Sequence, residues 1–135
     1  MKWPFYEKEN AIIVEMNSRK GNVHNPDFVD TFHATWDEIE RLYPRHPLIL
    51  TAQGPIFCAG IDLEYASALF QEGNPQKSRD WFKKYSGMML RLFESPFIQP
   101  GAELRVTWGY AGATAPPRAV IVQRVRGFEE LAVEG

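Results

Sequence analysis

Cysteine is nearly missing from this chain: 135 residues include one, Cys58. That excludes an intramolecular disulfide and fits a reducing compartment. No apolar run reaches the length needed to cross a bilayer, so no membrane partner is expected. Neither charge sign dominates. The formal net charge is -2, without the basic footprint that nucleic-acid binding needs. Neither G-x-x-x-x-G-K-S/T nor G-x-G-x-x-G occurs, so no phosphate loop is expected. His24, His33 and His46 are too scattered to read as a metal site. Ser67 lacks His and Asp partners at an informative spacing. The first ten residues are too polar for a signal peptide, and Ala132-Val133-Glu134-Gly135 is not a peroxisomal address. The expected location is cytoplasmic.

What is present fits one globular domain with a real core, since 44% of residues are hydrophobic and 24% charged. Ala11-Ile12-Ile13-Val14-Glu15-Met16 is β-branched and predicts a strand. Trp3 to Tyr6 predicts a short strand before it, with a turn near Glu9-Asn10. Asn17 to Asn22 is polar, with a turn glycine.

Asn25-Pro26-Asp27 predicts a helix start: a capping residue, proline at the first position, and an acid near the positive end. Phe28, Phe32, Trp36, Ile39 and Tyr43 then recur every three or four residues and form one apolar face. Asp37, Glu38, Glu40 and Arg41 fall elsewhere and read as solvated. Pro44 and Pro47 end the helix before a buried strand, Leu48 to Ala52.

The stretch Gly54-Pro55-Ile56-Phe57-Cys58-Ala59-Gly60-Ile61-Asp62-Leu63 follows. It reads as a tight bend leading from that strand into a helix from Leu63 to Phe70, with Asp62 its expected cap. Such a bend turns backbone N–H groups outward, where they can hold an anion or a polarised carbonyl; an ordinary strand-to-helix loop is the other reading. Small neutral neighbours give Cys58 no activation as a nucleophile. A second long helix is expected after the polar stretch Gln71 to Gln76, capped by Ser78 and stopped by Ser95-Pro96. Its expected buried side is Trp81, Phe82, Tyr85, Met88, Met89, Leu92 and Phe93.

Phe57-Cys58-Ala59-Gly60-Ile61-Asp62-Leu63 resembles the F-C/S/T-A-G-x-D-L/I signature of the crotonase family, the enoyl-CoA hydratases and isomerases. Asn17 to Asn22 resembles that family's N-R-P-x-x-x-N segment, without the proline. The resemblance extends over about residues 11–96. It implies an α/β fold of crotonase type, a ββα spiral, with 1–96 its N-terminal part. On the same resemblance, residues 97–135 would be a diverged or truncated continuation, without the C-terminal helical part of that family.

The resemblance also implies an acyl-CoA thioester ligand, with coenzyme A entering as part of the substrate and no separate cofactor. Two backbone N–H groups would hold the thioester oxygen as an enolate forms. Ile61 matches the first donor. Tyr110-Ala111-Gly112-Ala113 resembles the end of the family's A-F/Y-A-G-G turn, which makes Gly112 the candidate second donor. Ala59 and Gly60 match the backbone that receives the CoA adenine. Ala115 stands where hydratases often carry a glutamate. Arg124-Val125-Arg126-Gly127-Phe128 resembles the R-x-x-R-G-F/V turn of isomerase-like members, near whose single catalytic glutamate Glu134 falls. Glu134 reads either as that acid or as a solvated terminal residue.

The implied activity is double-bond isomerisation ahead of hydration, in fatty-acid metabolism. The alternative is a catalytically inactive fragment. A complete family member would form a trimer-type homo-oligomer. A fragment would self-associate through exposed apolar faces of Phe28–Tyr43 and Trp81–Phe93.

Overall fold

The computed structural model describes residues 1–94, 104–107 and 120–124. Phe5–Lys8 (β1) and Ala11–Met16 (β2) form an antiparallel hairpin, with Phe5 opposite Val14 and Lys8 opposite Ala11. Glu9 and Asn10 turn the chain at φ 51 and 63. Two successive left-handed residues give the twist that a two-residue hairpin requires. The first strand thus begins two residues later than the sequence suggests. Trp3 is drawn off the ladder because its backbone N–H donates to Thr35 Oγ1 at 2.9 Å.

β2 runs parallel to Leu48–Ala52 (β3), with Ile12 opposite Leu48 and Met16 opposite Ala52. A parallel pair needs a crossover. This one holds a single helical turn, Arg19–Asn22 (α1), and a long helix, Pro26–Leu42 (α2). Two further strands, Leu104–Thr107 (β4) and Val120–Arg124 (β5), extend the sheet in the order β1-β2-β3-β5-β4, with β5 antiparallel to both neighbours. The result is a small mixed α/β domain.

Period-two alternation sorts β2 and β3 into two faces. Ile12, Val14, Met16, Leu48, Leu50 and Ala52 join the core cluster that contains Phe28, Val29, Phe32, Trp36 and Ile39 of α2. Ala11, Ile49 and Ile13 pack as a smaller group on the other face. The predicted α2 face is therefore buried, not left exposed. Thr35 lies fully inside it without strain, because its hydroxyl accepts from Trp3 N–H and donates to Thr31 O at 2.7 Å.

Leu63–Gln71 (α3) and Pro75–Phe93 (α4) complete the described helices. α4 corrects two expectations. Its cap is Asn74, which accepts from Gln76 and Lys77 N–H with Pro75 at the first position, so the helix starts ahead of Ser78. Its buried side is also narrower. Trp81 and Met88 are buried and Tyr85 and Leu92 half-buried, whereas Phe82 and Met89 face outward. Positions 81, 85, 88 and 92 lie along one line of a helix, and the apolar contact of α4 with the domain follows that line. Arg91 clips it to α2: it donates to Asp37 Oδ1 at 2.6 Å, Glu40 Oε2 at 3.2 Å and His33 Nδ1 at 2.9 Å. Asp37 and Glu40 are thus ion-pair partners of α4, and Glu38 pairs with Lys2.

No helix among the described residues is long and apolar enough to cross a membrane.

Candidate functional site

The bend after β3 is held by the segment that precedes α2. Asn22, 2% exposed, is the centre of this attachment. Its Oδ1 accepts from Ser18 N–H at 2.8 Å. Its Nδ2 donates to Phe57 O at 3.1 Å and Ile56 O at 3.3 Å. Gly21 O accepts from Ala59 N–H at 3.0 Å. A Cβ on Gly21 would meet the Ile56 side chain at 3.2 Å, and its φ of +74 disfavours any other residue, so glycine is required for this approach. The Asn17–Asn22 stretch, a loose match in sequence, is thus the support of the motif.

Next, His24 and Ile61 form a parallel bridge: His24 N–H donates to Gly60 O at 2.8 Å, and Asp62 N–H donates to His24 O at 2.9 Å. Gly60 sits at φ +85, with open space where a Cβ would go. Here glycine is needed for backbone shape and not for room. This peptide also orients Ile61. In a trans peptide the carbonyl and the following N–H point in opposite directions, and the described chain has no cis bond. Because Gly60 O faces His24, Ile61 N–H faces away from it. That N–H has no hydrogen-bond partner among the described residues.

Two helix caps meet beside this donor. Asp62 Oδ1 accepts from Tyr65 N–H at 3.0 Å and caps α3, as the sequence suggests. Asn25 Oδ1 accepts from Phe28 N–H at 3.0 Å and caps α2. Asn25 Nδ2 then donates to Asp62 Oδ2 at 3.1 Å, so the two N-termini are tied to each other.

Cys58 has partners at this site that its sequence neighbours did not reveal. Small sequence neighbours suggested no activation, yet its Sγ lies 3.0 Å from His24 Nε2. Gly60 N–H donates to the same sulfur at 3.3 Å. The other His24 nitrogen, Nδ1, is 2.6 Å from Tyr85 Oη. Thiol, imidazole and phenol thus form one connected line. The His24 ring also leans on Phe28, with centroids 4.5 Å apart, and Trp81 stacks on Tyr85 at 5.7 Å. Burial pushes the Cys58 thiol up and the His24 imidazole down, so both rest neutral. Burial and then Cys58 push the Tyr85 phenol up.

The sequence-derived site is only partly assembled among these residues. Ala59 is exposed, with its N–H committed to Gly21. Gly60 is half-buried, with its N–H on Cys58 Sγ and its carbonyl on His24. Both differ from a backbone left free for an adenine, although Ala59 O carries no hydrogen bond among the described residues. Gly112, Ala115 and Glu134 lie outside the described residues. Sequence reading missed Asn22, His24 and Tyr85. The partial match around Asn22 was the one available signal.

No group of three His, Cys, Asp or Glu residues among those described could hold a metal ion. A cleft of about 560 Å³ opens between Ser18-Arg19 and the first turns of α2, and neither Cys58 nor Ile61 lines it. No protein-family model, curated protein or solved structure matches the chain.

Proposed function

We propose that this domain binds an acyl-CoA thioester at the 54–62 bend and acts in enolate chemistry of the enoyl-CoA isomerase or hydratase kind. One observation carries the reading: Ile61 N–H is turned away from His24, and is without a partner among the described residues, on a peptide whose carbonyl is locked to His24. A pre-aimed donor of this type stabilises a thioester oxygen as negative charge develops. Losing one such donor costs about 3 kcal/mol in the transition state. The buried Asn22 supports the reading by fixing the bend before any ligand arrives. Gly112 as second donor and Glu134 as the proton-moving carboxylate complete it, with isomerisation preferred because Ala115 stands where a hydratase acid would be.

The test is the ultraviolet absorbance of a 3-enoyl-CoA incubated with the full chain, alongside equilibrium dialysis of butyryl-CoA. Conjugated product above background supports isomerase chemistry, and absence of both product and binding overturns the reading.

A second reading, acyl-CoA binding or subunit association without catalysis, is favoured by one feature. Leu63 and Phe70 on α3 and Phe82, Met89 and Leu90 on α4 are exposed large apolar side chains. Under that reading the protein binds butyryl-CoA or self-associates, and turns nothing over.

A further inference from the structure

We infer that Cys58 is a nucleophile, with His24 as its general base, that accepts the acyl group of a thioester held at the same bend. The inference rests on the acyl-thioester reading above for the identity of the electrophile. The pair itself rests on geometry alone.

Covalent acyl transfer needs a nucleophile, a base within hydrogen-bond reach, a group that orients the base, and a donor for the oxyanion. The bend brings all four into one neighbourhood. Cys58 Sγ and His24 Nε2 are 3.0 Å apart, inside the range for direct proton transfer. Tyr85 Oη, 2.6 Å from Nδ1, holds the imidazole from its far side. When Nδ1 carries the ring proton and donates to Tyr85, Nε2 is the free lone pair facing the thiol. Gly60 N–H, already on the sulfur, stabilises the thiolate as it forms. Ile61 N–H, three positions along, points away from the His24 backbone and has no partner among the described residues, which leaves it for the oxyanion. Cys58 is half-buried and thus reachable by a small acyl group.

Burial raises the thiol and lowers the imidazole, which keeps a standing thiolate–imidazolium pair from forming. The proton therefore moves during attack, which is the definition of base assistance. The step balances. Sγ bonds to the thioester carbonyl carbon as the thiol proton passes to His24 Nε2. The carbonyl oxygen takes up the negative charge at Ile61 N–H. The bond from that carbon to the CoA sulfur then breaks, and His24 returns the proton to the departing thiolate. The products are S-acyl-Cys58 and free coenzyme A.

The test uses butyryl-CoA, intact-protein mass spectrometry, peptide mapping and chromatographic detection of released coenzyme A. The expected result is one butyryl group on Cys58, removable by hydroxylamine, with matching release of coenzyme A. Cys58→Ser is expected to stay unmodified. His24→Gln is expected to react roughly 100-fold more slowly, as befits loss of a general base.

Tyr85 is a positioning residue. Tyr85→Phe keeps the ring packing, is expected to slow transfer about tenfold, and should move the His24 ¹⁵N resonances. This variant substitutes for His24→Gln should the latter lose its far-ultraviolet dichroism. Unchanged rates in a folded His24→Gln, or in Tyr85→Phe when it stands in, overturn the inference. Butyryl-CoA binding without acylation of Cys58 also overturns it and leaves the binding reading intact. A protein that binds no butyryl-CoA, yet takes the butyryl group from its N-acetylcysteamine thioester in a His24-dependent way, keeps the thiol–imidazole pair and removes the CoA reading. Absence of reaction with either thioester overturns the pair.

Discussion

The sheet with α2 and the bend after β3 are neighbours held together by different forces. In the first, Trp36, Ile39, Val29, Ile12 and Leu48 are shut away from water, and the structure rests on apolar area. In the second, Ile56 is exposed and Phe57, Cys58, Gly60 and Ile61 are only half-buried. Directional bonds from Asn22, Gly21, His24 and Asn25 do the holding there. Burial is tolerant of detail and sets where a layer lies. Hydrogen bonds fix direction, and direction is what a donor N–H or a nucleophilic sulfur needs. The robust half thus acts as the platform and the bonded half as the instrument.

Substitutions can separate the two. The largest effect is expected from Trp36→Ala, which empties the centre of the core and should cost about 3–5 kcal/mol in urea unfolding. A loss under 1 kcal/mol would contradict the core described above. Asn22→Ala comes next, at about 1–3 kcal/mol, because it strands the Ile56 and Phe57 carbonyls. Its signature is local: faster hydrogen exchange at Ala59 and His24, with the amides of β2 and β3 unchanged at low denaturant. Uniform acceleration through the sheet would mean that the two regions are not distinct.

Asp62→Ala removes the α3 cap and one side of the Asn25 link, for about 1 kcal/mol. It should also weaken butyryl-CoA binding if Ile61 N–H is the thioester donor. Acid is a gentler probe that touches both regions. Burial lowers His24, and burial followed by the Arg91 charge lowers His33, relative to the ordinary value of 6.5. The unfolded chain therefore takes up these protons first. Stability is full above about pH 6.5 and falls as pH drops through the folded values. The urea midpoint should be lower at pH 5.5 than at pH 7.5. His33→Gln should shrink the difference, and an unchanged dependence in that variant would exclude the Arg91 contact as a cause. Smallest is Phe82→Ser, within about 0.5 kcal/mol of the parent because the side chain already faces water. Its readout is sedimentation. A drop in self-association would mark α4 as an association surface, and an unchanged profile would remove it.

Much of the fold could be read locally. Asn25-Pro26, the three-and-four spacing of the α2 face, the β-branched run of β2 and Asp62 as a cap were all legible, because capping and periodicity depend on residues close in sequence. Where the reading slipped, the competing interaction was also nearby or was tertiary. Asn74-Pro75 is a stronger helix start than Ser78. Phe82 and Met89 read as core because periodicity gives the width of an apolar face but not how much of it a neighbour covers.

The sequence by itself determined β2, β3, the start of α2, the Asp62 cap of α3 and the glycine that permits φ +85 at position 60. The tertiary structure alone decided what Cys58 is. Its base lies 34 positions away, inside the β2–β3 crossover just ahead of α2, and the phenol that orients that base lies 61 positions further along the chain from it. Chemistry between side chains depends on ångströms in space. Sequence spacing sets those distances only within a helix, a strand or a tight turn. Bringing His24 to Cys58 took the parallel β2–β3 pairing, the Asn22 clamp and the packing of α4 along its narrow line.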